Sequence, residues 1–116
     1  MSRKVLYDVF ETVPVRILGV INSPSKIHKY RAIFEDGSYT DFGAKGFEDF
    51  TTIEDRKDAV KRKAAYLKRH KKNEDWSNPK SAGALSRWIL WNKPTLKESF
   101  DDYAARFNMR KVKRLN

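Results

Sequence analysis

The 116-residue chain predicts an α+β fold: an N-terminal antiparallel sheet of three or four strands, followed by three helices. Three observations carry that expectation. Runs of β-branched and aromatic residues are confined to about residues 3–43. Within them, Asp36-Gly37 separates two alternating runs, and Asp-Gly in that position is a strong hairpin signal. After residue 50 the apolar period changes from two to that of a helix. The length suits one domain, with a sheet part at about 3–43, a helical part at about 52–108 and a basic tail at 109–116.

Residues 4–10 (KVLYDVF) and 13–21 (VPVRILGVI) read as the first two strands, with Pro14 placing the start of the second late or at an edge. Asn22-Ser-Pro-Ser25 is a turn cluster. Residues 26–34 alternate, with His28, Tyr30, Ala32 and Phe34 on the more apolar, core-facing side. A type I′ turn at Asp36-Gly37, with positive φ at both central positions, then leads into a partner strand at 38–42.

The first helix is expected from about residue 52 to 72. Thr52 and Asp55 stand at capping spacing, and Glu54, Asp55 and Asp58 lie near the positive end of the dipole. Its expected packing stripe is Val60, Ala64 and Leu67, widened by Ala59 and Tyr66. Asn78-Pro79 breaks the chain before a second helix at about 82–92. There Leu85, Trp88 and Ile89 share a face with Trp91 beside Trp88, and Trp88 and Trp91 read as core anchors. Lys93-Pro94 ends that helix. Thr95 and Glu98 form a capping box for the third, about 96–107, whose inward face is Leu96, Phe100, Tyr103 or Ala104, and Phe107.

Charge sets the functional question. Lys and Arg number 25 against 15 acids, a formal net charge of +10, which favours association with nucleic acid, acidic protein surfaces or anionic membranes. Residues 56–72 alone carry nine Lys or Arg and a single acid, Asp58. From this stretch Lys61, Arg62, Lys63, Lys68, Arg69, Lys71 and Lys72 form the expected contact face. Trp76 stands just beyond it as a half-exposed anchor, and Arg110, Lys111, Lys113 and Arg114 add a basic tail. Three readings of the basic helix stay open: a solvated face, contact with nucleic-acid phosphates, or docking on an acidic protein.

The other chemistries find little support. Without cysteine there are no disulfides or thiolate metal sites. His28 sits in a strand, and His70 reads as a solvent-facing residue among cations; neither has metal-ligand spacing to a partner. Glu48-Asp49 and Asp101-Asp102 are adjacent pairs whose side chains point apart, so neither makes an acid–base dyad. The sequence therefore predicts no catalytic residue, no metal and no cofactor. Gly43, Lys45 and Gly46 form the one loop with a hint of anion binding, although its spacing is not that of a phosphate-binding loop. Arg87 precedes Trp88 and reads as an ion-pair partner of the third helix or as a ligand contact. No apolar run is long enough for a signal peptide at the N-terminus or for a spanning helix.

Three blocks carry a resemblance: DFGAKGFEDFT (41–51), YLKRHKKNEDW (66–76) and AGALSRWILWNKPTL (82–96). Over about residues 26–108 the chain resembles a family of small uncharacterised basic proteins of large double-stranded DNA viruses of algae and amoebae, the chlorella-type viruses among them. The resemblance brings no catalytic or binding residue. It implies a context: a virion component, made inside the host cell, that is either a minor capsid protein contacting other capsid proteins or a protein on the packaged DNA.

Overall fold

Alternation along residues 28–34 turns Tyr30, Ala32 and Phe34 to one side, and that side is the core face of the sheet, with Ala32 and Phe34 fully buried. The computed structural model describes residues 16–108 and the backbone of residues 110 and 111. The strand expected at 4–10 lies outside the described residues, as do Lys113, Arg114 and the side chains of Arg110 and Lys111.

Strands β1 (Arg16–Asn22), β2 (His28–Phe34) and β3 (Tyr39–Ala44) form an antiparallel meander. The hairpin is where Asp-Gly predicts it, with a different turn. Gly37 has φ 92°, Asp36 is not in the positive-φ region, and the Gly37 amide donates to the Phe34 carbonyl at 3.0 Å. This is a type I turn closed by a glycine in the left-handed region, not a type I′ turn. The Asp36 carboxylate accepts from the Ser38 amide and hydroxyl, a local bond that holds its backbone in the type I shape. In β1 the pairing with β2 slips between Ile17 and Gly19, a bulge around Leu18. The fourth strand comes from the other end of the chain. Two residues, β4 (Arg110–Lys111), run parallel to β1 and complete the order β3-β2-β1-β4.

Helix α1 (Arg56–His70) is capped by Asp55, whose carboxylate accepts from the amides of Lys57 and Asp58. Thr52, the expected cap, instead closes the preceding turn, its hydroxyl accepting from the Asp49 amide at 2.8 Å. Helix α2 (Ala82–Leu85), capped by Ser81, continues into a π-helical turn, Ser86–Leu90, closed by Trp91 N–H on the Ser86 carbonyl at 3.0 Å. Helix α3 (Leu96–Arg106) starts at Thr95, whose hydroxyl accepts from the Glu98 amide and donates to the Glu98 carboxylate. It ends at Asn108, φ 52°, a left-handed cap that turns the chain back toward β1.

The core lies between the sheet and the last two helices: Ile17, Ala32, Phe34 and Phe42 meet Leu85, Ile89, Leu90, Tyr103 and Ala104. The inward face of α3 is Ser99, Tyr103 and Ala104, with Phe100 and Phe107 packed beside it and Leu96 at the surface. Tyr103 satisfies its buried hydroxyl on the Pro79 carbonyl at 2.7 Å. At Gly43 the left-handed backbone (φ 81°) favours glycine, and a Cβ there would also press on Leu90 Cδ1 at 2.9 Å where the π-helical turn meets β3. Among the described residues no helix is long and apolar enough to cross a membrane.

Across the meander, the Asp41 carboxylate accepts from Arg31 at 2.8 and 3.1 Å and from the Ser23 hydroxyl at 2.9 Å. The Arg31 bonds hold its pKa below the ordinary 3.8. Since the folded value is the lower one, the stability Asp41 confers is whole above pH 3.8 and is lost as pH falls through the folded value. Asp41→Asn should therefore be less stable than wild type near neutrality and show a shallower loss of stability on acidification. Denaturant titrations across the acid range check this; parallel curves would remove Asp41 from the acid limb.

Candidate functional site

The basic helix is built around an inward face that the sequence pattern misplaces. Val60, expected at the centre of the stripe, is 60% exposed, Ala64 is exposed and Leu67 only half-buried. The residues that pack are Ala59 and Tyr66, buried, with Lys63 and His70 half-buried on the same side. At about 100° per residue these four fall within a sector of about 60°. Ala59 joins Phe50 and Ile53 in a small cluster under Trp91. Tyr66 stacks on Trp91, with centroids 4.6 Å apart and an angle of 10°, and on its other side lies the His70 ring at 4.2 Å. Burial, and then the Glu74 carboxylate, push the Tyr66 hydroxyl pKa up.

Several residues of the expected contact face are therefore committed internally. Lys63 sends its ammonium to the Asn92 carbonyl at 2.7 Å and lies over the Phe50 ring at 4.8 Å. Burial, and then Arg87, lower its pKa. Arg62 is ion-paired with Glu48 at 3.1 Å and Asp58 at 3.6 Å. Trp76 is half-buried, with its indole N–H on Glu74, its carbonyl holding the Trp88 N–H and its ring near Arg87. His70 does not simply face solvent: Nδ1 lies 2.8 Å from Glu74 Oε2.

What remains is a clean outer stripe. Lys57, Lys61 and Lys68 are exposed and have no carboxylate partner among the described residues. They lie within about 40° of one another along roughly 16 Å of α1, diametrically opposite the packed face. Lys71 and Lys72 extend the positive end beyond the helix, and Arg69 sits on the flank nearest the sheet. The first turn is mixed in sign, with Asp55 at the cap and Asp58 beside Arg56 and Lys57. Lys57 was absent from the expected set, because charge density alone does not say which cations share a face.

The glycine loop is spent on its own geometry. Gly43 and Gly46 have φ of 81° and 86°. The Lys45 amide donates to the Ile27 carbonyl at 2.9 Å and its ammonium to the Ser25 carbonyl at 2.7 Å. The loop therefore ties 25–27 to 44–47, as a turn from sheet to helix would. Trp88 and Trp91 both pack against the core and are half-buried, but they face different neighbours. The Trp88 ring lies between the guanidiniums of Arg87 and Arg106, at 4.0 and 3.8 Å. Arg87 makes no carboxylate pair among the described residues; it caps the π-helical turn on the Trp91 carbonyl at 2.8 Å.

Asp49, half of an adjacent acid pair in the sequence, is the least expected residue. Its side chain is 2% exposed and its Oδ2 lies 2.6 Å from the Lys29 ammonium. Oδ1 accepts from the Thr51 amide and hydroxyl. The Asp-x-Thr spacing hints at the second contact, while nothing local points to the first. No group of three or more His, Cys, Asp or Glu suited to a metal occurs among the described residues.

If the Tyr66–Trp91 stack holds α1 in place, Trp91→Ala should cost about 3 kcal/mol and raise amide exchange in α1 well before it does so in β1–β3. Denaturation with residue-resolved hydrogen exchange checks this. Equal loss of protection in helix and sheet would contradict it.

Residues 18–70, which take in α1 and the meander from Leu18 onward, are similar to a family of unknown function (DUF5754). No curated protein and no solved structure matches the chain.

Proposed function

We propose that the protein is a non-enzymatic docking module, a minor structural protein of a large DNA virus particle, that binds an acidic surface of a neighbouring capsid protein through the outward face of α1. The observation that carries this is the lysine stripe Lys57, Lys61 and Lys68, free of carboxylates and set opposite the helix's packed face. Lysines used for folding are turned inward, as Lys63 is. Lysines left outward are available to a partner.

The charge pattern favours a folded protein over a phosphate backbone. Asp55 and Asp58 interrupt the cations at the start of α1 while its last turn is wholly basic, and such an uneven pattern registers against a complementary surface. A uniform polyanion offers no such pattern to match. The viral setting rests on the resemblance of the 41–51, 66–76 and 82–96 blocks. A second reading, non-sequence-specific binding to the packaged DNA, draws on the stripe itself. Three lysines on phosphates would give a salt slope of about −3 in log–log form.

Charge reversal at Lys61 and Lys68 tests the proposal, because both side chains are solvent-facing and the fold should survive. DNA-depleted shells from purified particles should retain the wild-type protein in co-sedimentation, and the double Glu variant should bind them about tenfold more weakly or worse. Equal retention of both proteins would contradict docking through α1. Tight duplex binding with the steep salt slope, and none to shells, would move the function to the genome.

A further inference from the structure

We infer that the cleft between α1 and the β2–β3 end of the sheet is a second binding site, and that it takes an extended peptide segment bearing both acidic and bulky apolar side chains. This site lies on a different side of α1 from the lysine stripe, so it goes beyond the docking role of that stripe. The cleft measures about 940 Å³, within the range of ligand sites. Phe42, Leu90, Trp91 and Tyr66 give it an apolar lining.

One rim is built from two short segments locked together by the Lys45 amide on the Ile27 carbonyl. It presents Lys26 and Ile27 from one segment, Lys45 and Phe47 from the other. Ile27 and Phe47, 67% and 71% exposed, are the two most exposed large apolar side chains among the described residues. They stand on the same rim with a cation beside each. Isolated exposed apolar residues are ordinary; these two stand on segments joined by a backbone hydrogen bond at the mouth of the cleft, where apolar side chains of the peptide would seat.

Charge complementarity selects an acidic occupant. Three lining carboxylates are already met: Asp49 by Lys29, Glu48 by Arg62, and Glu74 by His70. Lys26 and Arg69 line the cleft with no carboxylate partner among the described residues, and Lys45, its ammonium held on the Ser25 carbonyl, adds its charge, so the cleft is left net positive. Nucleic acid fits less well. Trp91, Tyr66 and His70 are stacked on one another, which uses the faces a base would need.

Fluorescence anisotropy with a short labelled peptide alternating aspartate with leucine or phenylalanine tests this on the full chain. Saturable binding is expected, with little binding of the same peptide carrying lysine in place of aspartate. The double variant Ile27→Asp with Phe47→Asp should weaken it at least about tenfold. Arg69→Glu on the opposite wall should give an independent loss, and Lys61→Glu with Lys68→Glu should leave binding unchanged. The inference is overturned if the acidic peptide shows no saturation up to roughly millimolar concentration. It is equally overturned if the cleft variants bind as wild type, or if oligothymidine binds in the peptide's place and the cleft variants abolish that. Loss of the peptide only in the Lys61/Lys68 variant would assign it to the outer stripe, overturning the cleft and leaving the docking role of α1 standing.

Discussion

Asp49 is the point at which the sheet is fastened to everything after it. Its carboxylate is buried with one oxygen on Lys29 of β2 and the other on Thr51, so the charge is both paired and hydrogen-bonded, as a buried ion must be. Its backbone does as much: the carbonyl accepts from the Thr52 and Ile53 amides at 3.0 and 3.1 Å. The tight turn this makes delivers the Phe50 amide to the Leu90 carbonyl at 3.0 Å. It also leaves the Phe50 and Ile53 carbonyls for the Arg56 guanidinium, at 2.9 and 2.6 Å. The start and rotation of α1 are set there. Once Arg56 faces the turn, Ala59, Lys63 and Tyr66 face the body, and the lysines of the outer stripe face away.

Local chemistry was legible in the sequence wherever one residue acts on its near neighbours. Alternation in 28–34 identified the core face of β2, Asp36-Gly37 located the hairpin, and Thr95 with Glu98 located the start of α3. The three-helix order followed from Asn78-Pro79 and Lys93-Pro94. Positions set by distant partners were not legible. The packed side of α1 contains a lysine and a histidine, because Lys63 lays its stem inward to reach Asn92 and His70 joins a ring stack. An apolar-stripe argument excludes both and so rotates the helix. Lys29 and Asp49 are joined across a hairpin, and no spacing rule links them. The short parallel strand β4 and the π-helical turn at 86–90 are likewise products of packing.

The same distinction sorts the candidate site. Charge density pointed correctly to α1 as basic, yet could not separate Lys61 and Lys68, which are outward, from Lys63, which is structural. The tryptophans illustrate this from the other side. Trp88 is clasped by two arginines and Trp91 by Tyr66, so the aromatic segment supports the platform, with Trp76 tied into it through Glu74 and Trp88. The cleft could not be foreseen, since its walls come from four separate stretches of the chain that only the Asp49 turn and the Trp91 stack bring together.

The claim at the centre of this account is that α1 faces an acidic protein. Zero-length carbodiimide cross-linking inside intact purified particles, read by mass spectrometry, tests that proposal. The account predicts amide cross-links from Lys57, Lys61 or Lys68 to aspartates or glutamates of a capsid protein, and few from Lys63, whose ammonium is held by Asn92. Particles that contain the protein yet yield no such cross-links from the outer lysines, while ultraviolet cross-linking joins α1 to DNA, would contradict it.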